Sequence, residues 1–244
     1  MSDGVAIPLD TDGAAAARAL VERLGSHLAT AAGLGPDPED DRELAVWWAL
    51  VCLADPRRED AAEALAALRA LAERGALTPG EWASQGPEKL AAWLEAAGLP
   101  GATRAGTVLW RTGRSLVADY DGSLAGLARG CEDLEELGGR LARLAPGFGR
   151  SSVVRYLQPL RDGWSAAAEL PLDRAAHAAA VHLGWLSEGD DEEAGPGTLR
   201  ARLSGAAGAP AFHDVEAALA RLGRRACARG RVQSCPLGDA CPAR

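Results

Sequence analysis

Lysine is nearly absent from this sequence of 244 residues, since Lys89 is the only one among 26 basic residues. The basic charge is therefore carried almost entirely by arginine, whose guanidinium stays protonated and does not act as an amine nucleophile. Any chemistry that needs a lysine amine has one candidate side chain. The net charge of −8 argues against a general polyanion binder, although local basic segments are still compatible with phosphate contacts.

Aromatic residues make up only 5% of the chain, and runs of β-branched residues are scarce. Alanine and leucine dominate instead, and both favour helix. No stretch alternates with a period of two for long enough to form a strand, whereas apolar residues recur at helical spacing. The sequence therefore predicts an all-α protein of about ten or eleven helices, including one over 12–33 and one over 103–120.

Long hydrophobic segments are also missing. The longest uncharged apolar run, Leu44–Ala54, has eleven residues, which is too short to span a bilayer. Met1–Asp12 is polar and acidic and lacks the apolar core of a signal peptide. We therefore expect a cytoplasmic protein with no membrane partner.

Two of the predicted helices are separated by a short segment with two glycines, Leu-Ala-Pro-Gly-Phe-Gly at 144–149. Pro146 ends the first helix, and Gly147 and Gly149 permit positive φ and close backbone approach. Phe148 is an apolar side chain that can bury the hairpin against its helices. The second helix starts with unpaired N–H groups, which form a site for a phosphate oxygen. A plain turn between two helices fits the same pattern.

The hairpin resembles the helix-hairpin-helix of the endonuclease III-like (HhH-GPD) superfamily of DNA glycosylases. Other short motifs follow in the order and at the spacing of that family. In chain order they are Glu88-Lys89-Leu90, Gly98-Leu99, Arg104-Ala105, Tyr120-Asp121-Gly122, Leu172-Asp173 and Leu183-Gly184. The resemblance covers residues 40–244.

This resemblance implies a two-lobed, all-α fold of the HhH-GPD type. One lobe is a helical barrel over 40–160 that ends in the helix-hairpin-helix. The second helical lobe combines 1–39 with 161–244 and includes a C-terminal cysteine-rich loop at 227–241.

The resemblance also implies base excision, in which a carboxylate stabilises the oxocarbenium-like sugar or activates water. By motif position that carboxylate is Asp173, at the start of a helix, where a helix N-cap is the alternative role. Family members that also cut the strand carry a lysine two positions after the last hairpin glycine, to form a Schiff base. Ser151 stands there, so the resemblance implies a monofunctional DNA glycosylase without lysine-dependent lyase activity.

The partner implied by the resemblance is double-stranded DNA with a damaged or modified base, bound by a monomer at the nucleoid. The residues that would contact DNA are Pro146, Gly147, Phe148, Gly149, Arg150 and Ser151. At the place of the family's intercalating glutamine this chain has Ala54 or Asp55, so the lesion is recognised differently or excision has been lost. Two alternatives stay open: a non-catalytic DNA-binding relative, and a helical scaffold that binds no nucleic acid.

Three of the five cysteines, Cys227, Cys235 and Cys241, resemble the cysteine loop of the family. That loop holds a [4Fe–4S] cluster with four thiolates spaced C-x6-C-x2-C-x5-C, whereas this chain has C-x7-C-x5-C. One thiolate ligand is missing. Either a group other than cysteine completes a metal site, or the loop has lost its cluster and keeps its cysteines for packing. The cofactor stays open between a [4Fe–4S] cluster and none.

Overall fold

The computed structural model describes residues 13–55, 61–145, 148–187, 189–190, 195–203, 209–227 and 235–237. Within these ranges there is no strand, so the predicted all-α class is confirmed for this part of the chain. The α-helices are α1 (Gly13–Leu24), α2 (Leu28–Ala31), α3 (Asp41–Leu53), α4 (Ala62–Ala72), α5 (Pro79–Gln85), α6 (Pro87–Ala96), α7 (Ala102–Tyr120), α8 (Leu124–Ala128), α9 (Leu134–Leu144), α10 (Arg150–Leu157), α11 (Arg174–His182), α12 (Gly195–Leu203) and α13 (Phe212–Arg225). None of these helices is long and apolar enough to cross a membrane.

The chain divides into two compact units. Unit 1 consists of Met1–Ala31 and Leu170–Arg244, and unit 2 is Ala32–Glu169. The boundaries predicted from the sequence, between 39 and 40 and between 160 and 161, differ from these by several residues.

The prediction of a single helix over 12–33 is wrong, because the chain forms two helices there, α1 and α2. The backbone turns at Gly25, where φ is 89°. The Arg221 guanidinium of α13 donates to the carbonyl oxygen of Gly25 at 2.6 Å. Two residues later the N–H of His27 donates to the Asp214 carboxylate at 2.7 Å. These contacts bind backbone groups that a continuous helix would have used, so tertiary structure overrides helix propensity here.

The ends of α3 and α7 follow local sequence signals. Asp40 is the N-cap of α3, and its carboxylate accepts hydrogen bonds from the N–H groups of the second and third residues after it. Helix α7 ends at Asp121 and Gly122, which both have positive φ (53° and 80°). The N–H of Gly122 donates to the Leu116 carbonyl at 2.8 Å, which satisfies a carbonyl at the helix end. The predicted helix over 103–120 is confirmed, with its end at Tyr120.

Two short helices, α8 and α12, were not predicted. The sequence of α12 opens with Gly-Pro-Gly, a composition that is typical of a loop. Leu199 and Leu203 nevertheless lie four residues apart on this helix and are both buried in the core of unit 1. Burial of one apolar stripe therefore stabilises a helix whose first turn has poor intrinsic propensity.

Glycines allow three close helix crossings. In unit 2, a Cβ at Gly106 of α7 would lie 2.6 Å from the Ala91 nitrogen, and one at Gly113 would lie 2.8 Å from the Ala83 nitrogen. In unit 1, a Cβ at Gly223 of α13 would overlap the Ala175 carbonyl of α11. Backbone therefore packs directly on backbone where α7 crosses α5 and α6 and where α13 crosses α11.

We expect Gly223→Ala to lower the free energy of unfolding of unit 1 by about 2 kcal/mol or more, because the added methyl group forces two packed backbones apart. Gly197→Ala is the matched control in the same unit, since a Cβ at Gly197 meets nothing within 4 Å. The control is expected to raise stability by about 0.5–1 kcal/mol, because alanine favours helix over glycine. Urea unfolding followed by circular dichroism measures both. Equal stabilities of the two variants would contradict the backbone contact.

Candidate nucleic-acid interface

Phe148 anchors the described part of the hairpin to the core of unit 2. Its ring stacks on Trp48 of α3, with ring centroids 4.2 Å apart and planes 22° from parallel. Phe148 is 6% exposed and Trp48 is fully buried. The Trp48 Nε1–H donates to the Thr112 hydroxyl of α7 at 3.2 Å. The buried Phe148 side chain therefore fixes the described part of the hairpin on α3.

Tyr156 fixes the helix that follows the hairpin. Its ring meets Trp48 edge-on at 5.0 Å, and its hydroxyl donates to the Leu44 carbonyl at 3.4 Å. Its own carbonyl accepts from the Trp47 Nε1–H at 2.9 Å. Burial, and then the nearby Asp41 and Cys52, raise the pKa of the Tyr156 phenol well above its usual value. This side chain is a neutral structural link between α10 and α3.

Gly149 is the N-cap of α10, and its backbone is extended, with φ −76° and ψ 173°. Gly149 therefore does not adopt the positive φ that a glycine permits. A Cβ at Gly149 would meet nothing within 4 Å. The N–H groups of Arg150 and Ser151 donate to no acceptor among the described residues. The start of α10 thus leaves free donors and open space for a group from outside the chain.

One cavity of about 410 Å³ in unit 2 opens beside this helix start. Three segments line it: the end of α3 with the residues after it, the start of α7, and the hairpin. The residues that matter here are Ala54, Asp55, Arg104, Gly149, Ser151 and Ser152. The cavity therefore brings three of the predicted DNA-contacting residues, Phe148, Gly149 and Ser151, together with the predicted position of the intercalating residue. Pro146 and Gly147 lie outside the described residues.

Arg104 lines this cavity. The sequence placed it in a family motif but did not predict it as a site residue. Cys52 also lines the cavity. Burial raises the pKa of its thiol far above the usual value, and the nearby Arg104 lowers that pKa by a smaller amount. The thiol is therefore protonated at neutral pH and is a poor nucleophile. The cavity offers an arginine, hydroxyl groups and backbone N–H groups, which suit an anion, whereas the carboxylate of Asp55 in the same lining disfavours one.

Lys89 does not belong to this cavity. It is exposed on α6, with its Nζ 5.1 Å from the centre of the Trp93 ring, a cation–π contact. Ser151, at the position of the lyase lysine, is exposed and lines the cavity instead. The described residues that line the cavity therefore carry no amine side chain.

Asp173 lies in unit 1 as the N-cap of α11. Its Oδ1 accepts from the N–H groups of Ala175 at 2.9 Å and Ala176 at 3.3 Å. The Arg224 guanidinium lies 3.7 Å from the same oxygen, and the Asp173 side chain is 41% exposed. Oδ2 forms no hydrogen bond to a described residue. The structure thus shows the capping role, while one carboxylate oxygen is left for other contacts.

The described cysteines of the C-terminal loop belong to the core of unit 1. Cys235 is 8% exposed within that core, and Cys227 packs against it. Cys241 lies outside the described residues. Among the described side chains, no group of three or more His, Cys, Asp or Glu residues is arranged to hold a metal ion. The contacts of Cys227 and Cys235 with this core are compatible with the packing role.

No protein-family model matches the chain, and no curated protein is significantly similar to it. The resemblance to the HhH-GPD superfamily therefore stays a prediction from the sequence.

Because the loop has three cysteines and a [4Fe–4S] cluster usually takes four thiolates, we expect protein purified without oxygen to hold less than about one iron atom per chain. Elemental analysis and the visible absorption spectrum measure this. About four irons per chain with a broad visible band would contradict the expectation, and loss of that iron in Cys235→Ser would identify the loop as its site.

Proposed function

We propose that this protein is a monofunctional DNA glycosylase that hydrolyses the N-glycosidic bond of a damaged or modified base in double-stranded DNA. The observation that carries the proposal is the cavity of unit 2. Gly149 and Ser151 of the hairpin line it together with Ala54 and Asp55, which stand where the family intercalates a residue. Positions far apart in the sequence that the resemblance assigns to DNA contact thus share one surface.

The hairpin contributes a phosphate contact in this proposal. The free N–H groups at the start of α10 carry partial positive charge, and the helix dipole adds to it. Arg150 is exposed at the same helix start, and Arg104 lines the adjoining cavity. The missing side chain at Gly149 lets a phosphate oxygen approach the backbone closely. These contacts bind the DNA backbone and read no bases, so they position the duplex without selecting its sequence.

Asp173 supplies the catalytic carboxylate in this proposal. Oδ1 accepts hydrogen bonds from the helix N–H groups, and Oδ2 is left to contact a substrate. A negative charge there stabilises the oxocarbenium-like sugar as the bond from C1′ to the base nitrogen breaks. Water then forms the new bond to C1′, and its proton passes through the carboxylate to the departing base. No imine forms, because Ser151 stands at the position of the lyase lysine and a hydroxyl group cannot form one.

A second candidate is a non-catalytic DNA-binding relative with the same hairpin. The hydrogen bonds and the Arg224 contact of Asp173 favour it, because they give this carboxylate a complete structural role as a helix cap. Ala54 favours it too, since a methyl group cannot fill the gap that a flipped base leaves. DNA binding at the hairpin is common to both candidates, and excision separates them.

Gly149→Val tests the hairpin contact. We expect about tenfold weaker binding of duplex DNA, similar for all sequences, because the isopropyl group blocks backbone–phosphate contact. Gly35→Val is the matched control, since Gly35 is exposed in unit 2, its φ is not positive and a Cβ there also meets nothing within 4 Å. Fluorescence anisotropy at several salt concentrations measures both. If the two variants bind DNA equally well, the hairpin does not contact phosphate.

Asp173→Asn tests the role of the carboxylate in catalysis. The substrates are duplexes that each carry one lesion, and excision is measured as abasic sites revealed by hot alkali. We expect excision by the wild type and a loss of about two orders of magnitude or more in the variant, with DNA affinity preserved. Asparagine is also a good N-cap, so the helix start persists. Asp133→Asn is the control, because Asp133 is likewise an N-cap, of α9.

Two further results would decide between the candidates. Borohydride should trap no protein–DNA adduct, since trapping requires an imine from an amine; a trapped adduct would contradict the monofunctional mechanism. A wild-type protein that binds duplex through the hairpin yet excises no lesion of the panel would support the non-catalytic relative.

A further inference from the structure

The exposed face of α7 concentrates basic charge beyond the cavity. Arg104, Arg111 and Arg114 are all exposed, and Asp119 is the one acidic residue of the helix. Three positive charges against one negative charge give α7 a net charge of +2, in a chain whose net charge is −8. This helix is therefore a local basic surface on an acidic protein.

The arginines are arranged along the helix rather than around it. Arg104 and Arg111 are seven residues apart, which is close to two turns, so they lie on one face, and Ala118 continues this row. Arg114 lies beside the row, about one turn after Arg111. The row begins at Arg104, which lines the cavity beside the hairpin. It reaches Ala118 about 21 Å further along at the usual helical rise. That length matches a few nucleotides of an extended strand.

A shallow groove lies at the far end of this row. Its volume is about 490 Å³, and it is lined by Ala83 of α5 and by Trp110, Arg114, Val117 and Ala118 of α7. The Arg114 guanidinium lies over the Trp110 ring, 5.4 Å from its centre. Val117 is 46% exposed, the one large hydrophobic side chain so exposed among the described residues. The groove thus combines an aromatic ring, an apolar wall and a positive charge.

We propose that this face of α7 binds single-stranded DNA, with phosphates on Arg111 and Arg114 and a base against Trp110. A positive groove with an aromatic ring holds single strands of any sequence, because every base can stack. The inference rests on the proposed function, since Arg104 joins the row to the cavity at the hairpin. A strand that leaves the hairpin site would continue along α7. An acidic protein segment would satisfy the arginines but would not need the Trp110 ring.

The test measures binding of a fluorescein-labelled oligothymidylate of about 20 nucleotides, long enough to cover a stacking groove, by fluorescence anisotropy over a range of salt. We expect Arg111→Glu to weaken binding about tenfold and to lower the salt dependence. Trp110→Leu should weaken it about fivefold or more through lost stacking. Arg69→Glu is the control, because it makes the same charge change at an exposed arginine on a different helix. That helix, α4, packs against α3 and α6. We expect Arg69→Glu to change affinity less than about twofold. Thermal unfolding of each variant confirms that it is folded.

Three other outcomes overturn the proposal, and a fourth overturns only the glycosylase proposal. Equal losses in Arg111→Glu and Arg69→Glu would indicate a general charge effect. A labelled polyglutamate peptide that binds as tightly as the oligonucleotide, with Trp110→Leu unaffected, would indicate a site for acidic protein. Lesion excision is a separate readout: if the wild type excises but does not bind oligothymidylate, this proposal fails alone. If it binds oligothymidylate through Arg111 and Trp110 but excises nothing, the glycosylase proposal fails alone.

Discussion

The stack of Phe148 on Trp48 joins the hairpin to the most deeply buried helix of unit 2. Trp48 also holds α7 through Thr112 and meets Tyr156 of α10. The Trp48 side chain therefore joins α3, α7 and the hairpin, which are the three segments that line the cavity. Without an apolar residue between the two glycines, the hairpin would lack a fixed place on α3, and the free N–H groups of α10 would have no defined direction.

Much of unit 2 could be predicted from the sequence because its signals are local. An aspartate before an apolar run marks the start of α3, and Asp121-Gly122 marks the end of α7, where a left-handed backbone is required. The apolar Phe148 between polar and small residues indicated a buried anchor for the hairpin. In each case a few consecutive residues determine the outcome, so distant contacts are not needed to foresee it.

The remaining features depend on contacts that no local pattern contains. The break after α1 arises from Arg221 and Asp214 of the distant α13. Helix α12 forms because two leucines are buried, despite its glycines and proline. The cavity and its Arg104 wall require three separate segments to converge. The role of Asp173 is the hardest to predict from the sequence, because a capping aspartate and a catalytic aspartate at a helix start look the same. The hydrogen bonds of its Oδ1 are also the same in both roles.

The crossings at Gly106 and Gly113 restrict how unit 2 can move. They lie two turns apart on α7, and each leaves no room for a side chain against α6 or α5. Sliding α7 by one turn would bring larger residues, such as Leu109 and Leu116, against those backbones. Shear between these helices is therefore blocked, and they behave as one rigid layer. Any adjustment of unit 2 to a ligand must come from hinge rotation in its connecting segments, with the basic row of α7 carried along unchanged.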